Sequence, residues 1–201
     1  MKIDYIEEVY RLAKEKNIAH IFHTGDIIQS TVLGVSKEWK SQEKQLRFLV
    51  ENYPCVKKIQ THILLGNHDF KTLFKNKYFM SMLQSRRDFD ILGFKRCYIN
   101  WYKNLLSLNH DINSYRLKLP YVSDTLMNFY GHRHDLLVKN NCIYLPTLSN
   151  DLKYYGKKDV SPGFIEVSTE DKKVSVNHYR VFEVNGVVSV SQGLILKRKL
   201  K

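Results

Sequence analysis

The chain has 201 residues, 43% hydrophobic and 26% charged. That is room for one domain hiding roughly 70% of its unfolded surface, and these proportions exclude a disordered, collagenous or coiled-coil chain. The net charge is +12, from 32 Lys+Arg against 20 Asp+Glu, beyond the magnitude of about 2–8 that solubility needs; an anionic partner fits the excess, and so does a composition merely rich in lysine.

Asp4 with Glu7 predicts a helix N-terminus, and Ile6, Val9, Tyr10 and Ala13 follow the i, i+3, i+4, i+7 spacing of a buried face as far as about Asn17. Ile18 to Phe22 reads as a buried strand running into Thr24-Gly25-Asp26. A second helix is expected from Ser36 to Tyr53, stopped by Pro54. Strand, loop and helix then recur: Ile63-Leu64-Leu65, Gly66-Asn67-His68-Asp69, and a third helix from about Phe70 to Leu83. The alternation predicts a layered α/β domain with parallel strands. Beyond residue 90 the pattern turns to β, with strands expected over Tyr98–Trp101, Leu105–Leu108, Leu126–Tyr130, Cys142–Leu145 and Gly163–Val167. Val174–Val184 and Val187–Val190 flank Asn185-Gly186, a strong hairpin signal. The reading gives one domain over residues 1–190 and a solvated basic tail over 191–201.

No run of about 18 apolar residues occurs, so no membrane span is expected. The first residues, Met1-Lys2-Ile3-Asp4, lack a secretory apolar stretch. Cys55, Cys97 and Cys142 have no paired spacing, which suits reduced thiols and a cytoplasmic location.

Four apolar runs end in clusters of Asp, Asn or His: Thr24-Gly25-Asp26, Gly66-Asn67-His68-Asp69, Asn109-His110-Asp111 and Gly131-His132-Arg133-His134-Asp135. Any one of them reads equally well as a turn. Their recurrence at strand ends, where α/β sheets bind ligands, points to a common site. Divalent ions take carboxylate and carboxamide oxygen, and the transition ions also take neutral imidazole. A loop would let His132 and His134 each reach a different ion. Asp69, Asp111 and Asp135 each follow a histidine and could orient an imidazole, although a solvated carboxylate suits Asp111 and Asp135 equally. His20, His23, His62 and His178 read as structural.

These clusters, in this order, resemble the calcineurin-like metallophosphoesterase superfamily over about residues 1–184. The resemblance implies a four-layer α/β/β/α sandwich with a dinuclear centre of two divalent metal ions, Mn²⁺ first, with Fe²⁺, Zn²⁺ or Ni²⁺ as alternatives. It implies Asp26 as the bridging carboxylate, Asn67, His110 and His132 on one metal, and His134 on the other. His68 would contact the scissile phosphate and its leaving group, with Asp69 holding its orientation. The reaction so implied is phosphoester hydrolysis by a metal-bound hydroxide, on a phosphatase or phosphodiesterase substrate. The family's first strand, which ends in Asp-x-His and completes the second metal's shell, has no counterpart in residues 1–201. An N-terminally truncated chain is the simplest expectation; a one-metal variant, or a catalytically impaired module that binds nucleic acid or protein, is the alternative. Loss of an inner strand would expose backbone edges and apolar side chains. Ile27-Ile28-Gln29-Ser30 and Asp69 depart from the phosphoprotein-phosphatase branch of the family. Basic residues interleaved with aromatics, in Lys71 to Tyr78 and in Tyr154-Tyr155-Gly156-Lys157-Lys158, would suit nucleic acid.

Overall fold

A computed structural model describes residues 3–28, 41–73, 76–110, 125–149 and 162–199. The first helix, α1 (Ile3–Glu15), carries Asp4 in its first turn rather than at the cap, where the carboxylate still opposes the helix dipole, and buries Ile6, Tyr10 and Ala13. It leads to strand β1 (His20–His23). Helix α2 (Gln42–Asn52) starts after Ser41, whose hydroxyl oxygen accepts from the Lys44 N–H at 3.3 Å. The earlier start expected at Ser36 lies outside the described residues. Strand β2 (Gln60–Leu65) follows.

The single helix expected from Phe70 to Leu83 is instead two, α3 (Asn67–Leu73) and α4 (Lys77–Gln84). Asn76 is the reason for the second start: its backbone is extended, and its side-chain oxygen accepts from the Tyr78 N–H at 3.0 Å, the geometry of an N-cap. Strand β3 (Phe89–Phe94) was not predicted; Asp90 and Gly93 interrupt its apolar run, and Gly93 sits at a φ of +116°.

The β half contains β4 (Arg96–Trp101), β5 (Asn104–Asn109), β6 (Thr125–His134), β7 (Leu137–Lys139), β8 (Cys142–Pro146), β9 (Gly163–Glu170), β10 (Lys173–Val184) and β11 (Val187–Lys199). The expected hairpin at Asn185-Gly186 joins β10 to β11. Residues 191–199, expected as a solvated tail, are instead the outer part of β11: Leu196 pairs with Val176 and Arg198 with Val174 across a bulge. Ile195 and Leu196, just before Lys197-Arg198-Lys199, are partly buried and pack against the core.

Three sheets result. One has the order β1-β2-β3, all parallel; the second is β4-β5-β6-β8-β7, with β5, β6 and β8 parallel between antiparallel edges; the third is the antiparallel β11-β10-β9. Period-2 alternation in β2 explains the layering. Ile63 and Leu65 join Ile6, Tyr10, Leu46, Leu49 and Leu83 in a core beneath the helices, while Leu64 turns to the opposite face and packs with Leu106, Leu108, Met127, Ile143 and Val176. This is the mixed α/β architecture expected, with helices outside a parallel sheet and further sheet packed on its inner face.

Among the described residues β1 pairs only with β2, and β9 only with β10. Phe22 on β1 remains 38% exposed. Helix α1 ties the two sheets together at one end, where the Lys16 ammonium meets the Glu166 carboxylate at 2.7 Å and also contacts the Tyr179 hydroxyl.

Candidate metal centre

Four chain segments bring the predicted clusters together at the C-terminal ends of parallel strands. The first follows β1. Gly25 takes a φ of +100°, a region open to glycine at little cost, and Asp26 a φ of +57°. A Cβ on Gly25 would run into the His110 ring and one on Gly66 into the Asp26 carboxylate, so both glycines permit the close approach of the ligand-bearing loops.

Asp69, buried at the start of α3, fixes this approach. Its Oδ1 accepts from the Ile28 N–H at 2.9 Å, and its Oδ2 accepts from Ile27 at 3.2 Å and Gly66 at 2.8 Å. The carboxylate expected to steer the His68 ring thus clamps the loop after Asp26 onto the loop after β2. Burial, reinforced by the charge of Asp26, pushes the Asp69 pKa up to about 6 against the pull of those three N–H groups.

Asp26 is the hub. Its Oδ1 accepts from the His68 N–H at 2.9 Å, and its Oδ2 lies 3.1 Å from His110 Nε2 and 3.8 Å from His132 Nδ1. Burial alone would raise its pKa, but His110 and His132 hold it far below the usual carboxylate range. Ligand atoms of Asp26, His110 and His132 all lie within 4.8 Å of one another. Asn67 completes the group, with its Oδ1 3.0 Å from His110 Nε2.

The tautomer of His110 decides what this cluster can hold. Its Nδ1 is 2.7 Å from the Thr24 carbonyl oxygen, which can only accept, so Nδ1 carries the proton. A neutral His110 then presents the Nε2 lone pair toward the Asp26 and Asn67 oxygens, also electron-rich. Three acceptors facing one another in a buried space repel unless a positive charge lies between them. That charge is either a second proton on His110 or a cation. Burial disfavours the proton, although Asp26 more than offsets it and moves the His110 pKa up. One carboxylate, one carboxamide and two imidazoles, with an outer carbonyl fixing one ring, make a donor set that fits a divalent transition ion.

His132 and His134 close the site from β6. Both take left-handed backbone, with φ of +76° and +64°, and the β6–β8 register shifts between Tyr130 and His134. At this local break in extended geometry His132 comes within 3.8 Å of Asp26, and His134 lines the same cavity. His132 packs edge-on to His110, with ring centroids 5.1 Å apart. His134 lies outside the close three-atom group but feels the Asp26 charge, and burial lowers its pKa. His68 behaves likewise. Asp26, His68, His132 and His134 line one cavity. Asp26, His132 and His134 thus bring three left-handed backbone positions into the site itself.

Of the remaining candidates, Asp135 sits 3.6 Å from the Arg133 Nε, and Asp111 lies outside the described residues. Sequence reasoning missed the Thr24 carbonyl and assigned His23 no specific contact. The Gly25 N–H donates to His23 Nδ1 at 3.3 Å, and burial, with His110 nearby, lowers the His23 pKa to about 4, keeping that nitrogen an acceptor. Its position just before Thr-Gly-Asp was the available signal. His20 and His62, read as structural, form a line across the parallel sheet: His20 Nδ1 is 3.0 Å from His62 Nε2, and His62 Nδ1 is 2.8 Å from Asp90 Oδ2.

The chain belongs to the calcineurin-like phosphoesterase family, whose profile matches residues 2–187. No curated protein matches it in sequence. Among solved structures it is similar to Escherichia coli YfcE, a phosphoesterase, with 17% identity, 98% of this chain and 92% of that one covered, and a TM-score of 0.49. It is also similar to a predicted phosphoesterase of Streptococcus pneumoniae (16%, 96% and 91%, TM-score 0.49). A point mutant of Vps29 from Entamoeba histolytica is a further similar structure (15%, 88% and 99%, TM-score 0.48).

Proposed function

We propose that the protein is a metal-dependent phosphoester hydrolase whose centre is built on Asp26, Asn67, His110, His132 and His134. The convergence of Asp26 Oδ2, Asn67 Oδ1 and His110 Nε2, with the His110 proton committed to Thr24, carries this reading. Two divalent ions, Mn²⁺ by preference, would supply Lewis acidity toward a phosphoryl oxygen and a water made acidic enough to attack at neutral pH. Asp26, at the centre of the cluster, would serve both; Asn67, His110 and His132 would hold one, and His134 would contribute to the other.

The protein's own groups then have separable tasks. His68 is placed beside Asp26 by its backbone N–H and is half-buried in the same cavity. Burial lowers its pKa; its ring N–H would give a hydrogen bond to a phosphate oxygen, and proton transfer to a leaving group would need the ring protonated, which the negative charge of a bound phosphate favours. Asp69 acts at one remove, fixing the loops on which Asp26 and His68 sit. A phosphoester of nucleic acid suits the net charge of +12, and such binding would weaken steeply as salt rises. A cytoplasmic setting agrees with the unpaired Cys55, Cys97 and Cys142.

Mn²⁺-dependent hydrolysis of bis-p-nitrophenyl phosphate by residues 1–201, with His132→Ala as control, tests the proposal. Activity abolished in the variant supports it; equal background signals in both proteins refute it. The second reading, a binding module that retains the fold, draws on one observation: among the described residues, the close group around Asp26 includes His110 and His132 but not His134. Background signals with partner binding retained would favour that reading.

A further inference from the structure

Away from Asp26, His20 and His62 bring two further imidazoles into contact. Strands β1, β2 and β3 run in parallel register, with Phe22 beside His62 and His62 beside Asp90. Alternation sends Ile21, Ile63 and Ile91 beneath the helices and Leu64 and Leu92 to the opposite face, so His20, Phe22, His62 and Asp90 share that second face. There they form a connected row. His62 Nδ1 is 2.8 Å from Asp90 Oδ2, and His62 Nε2 is 3.0 Å from His20 Nδ1. The Phe22 ring stacks on His62, with centroids 4.6 Å apart and planes 16° apart.

We propose that His20 and His62 form a separate site for one late transition ion, Ni²⁺ or Cu²⁺, with Asp90 orienting His62 from behind. A carboxylate only accepts, so His62 Nδ1 carries the ring proton and Nε2 presents its lone pair to His20. A carboxylate on the far nitrogen fixes a ligating imidazole and makes it more basic, and the stacked Phe22 ring limits its rotation. Without an ion, His20 closes the pair by donating its Nδ1–H. Because His20 is exposed, its Nε2 can carry the proton in water instead, which frees the Nδ1 lone pair for a cation with no proton released. The spacing selects the ion. With metal–imidazole bonds of about 2.1 Å, neighbouring ligands lie about 3.0 Å apart in a tetragonal arrangement and about 3.4 Å apart in a tetrahedral one. The observed 3.0 Å matches the tetragonal preference of Ni²⁺ and Cu²⁺ rather than the tetrahedral preference of Zn²⁺. Two nitrogen donors also favour these ions over Mn²⁺, which stands lowest in affinity among the first-row ions. Water fills the remaining positions, since Asp90 and His20 both reach solvent. His20 opens β1 and Asp26 follows its end, six residues later, so up to about 20 Å separates the two sites at a rise of about 3.3 Å per residue. The proposal goes beyond phosphoester hydrolysis and does not require it.

The test is calorimetric titration of Ni²⁺ into untagged residues 1–201 carrying Asp26→Ala and His132→Ala, substitutions that dismantle the centre on Asp26. One equivalent is expected to bind. Adding His20→Ala or, in a separate protein, His62→Ala should weaken that binding at least tenfold, and Asp90→Asn about tenfold, with circular dichroism unchanged. Loaded with one equivalent of Cu²⁺, the same protein should show electron paramagnetic resonance splitting from two nitrogens, reduced to one by His20→Ala. The parent's Mn²⁺ binding should be untouched by His20→Ala, so failure of the Asp26 centre and failure of this site are read separately. Three results would overturn the proposal: no Ni²⁺ binding by the doubly substituted protein, binding indifferent to both His20→Ala and His62→Ala, or a copper signal that keeps its nitrogen count when His20 is removed.

Discussion

At the scale of single residues, the account separates holding a metal from using it. His132 lies within 3.8 Å of Asp26 Oδ2, whereas His68 reaches that carboxylate through its backbone N–H. His68→Ala is therefore expected to reduce turnover by about 10²- to 10⁴-fold, the usual contribution of a positioned acid–base group, with metal content unchanged. Metal analysis beside kinetics checks this; metal loss as large as that of His132→Ala would contradict the role. The thiols give an independent check on the packing. Cys55 is exposed, while burial pushes the Cys97 pKa up to about 11 and raises that of Cys142. Timed iodoacetamide labelling at pH 8 should modify Cys55 first, since the thiolate is the reactive form. At this scale the sequence was informative about identity and weak about contact. Asp26, Asn67, His110 and His132 could be picked out because their types suit a metal and recur after apolar runs. The work of Asp69 could not, because its partners are the backbone N–H groups of Ile27, Ile28 and Gly66, and any residue carries those.

Elements place these side chains, and their capping and close contacts set the cost of moving them. Asn76→Ala removes the N-cap of α4 and should lower stability by about 1 kcal/mol, measured by urea unfolding, with the metal site unaffected. Gly66→Ala is different in kind. Its Cβ would meet Asp26 Oδ1, the Asp26 backbone nitrogen at 2.5 Å and His110 Nε2 at 2.8 Å, so it should weaken metal binding at least tenfold even where the fold survives. The helices and most strands were legible from periodicity because each buries one side. Four features were not. The helix break at Asn76 depends on a cap competing with a continuing apolar pattern; β3 is interrupted by Asp90 and Gly93; β7 is three exposed residues on a sheet edge; and the outer part of β11 ends in the basic run Lys197-Arg198-Lys199, where only Ile195 and Leu196 reach the core.

Across the whole molecule, one topological fact links fold and site: the site residues follow parallel strands of two different sheets, Asp26 and Asn67 after β1 and β2, His110 and His132 at the ends of β5 and β6. The recurrence of the clusters at strand ends was legible in the sequence; the pairing of two separate sheets through Leu64 was not, because its partners Leu106, Leu108 and Met127 are distant in the chain. Leu46 and Leu49, both fully buried beneath the helices, hold α2 against Ile63 and Leu65 of β2. Leu46→Ala should cost about 2–5 kcal/mol in equilibrium unfolding.

The central claim is that Asp26, Asn67, His110 and His132 converge to hold a divalent cation. Titration of Mn²⁺ into the protein, with free ion followed by electron paramagnetic resonance, tests it most directly when Asp26→Ala is run alongside. The account predicts saturable binding by the parent protein and loss of that binding in the variant, with the fold retained by circular dichroism. Equal binding by both proteins, or none by the parent at millimolar Mn²⁺, would contradict it.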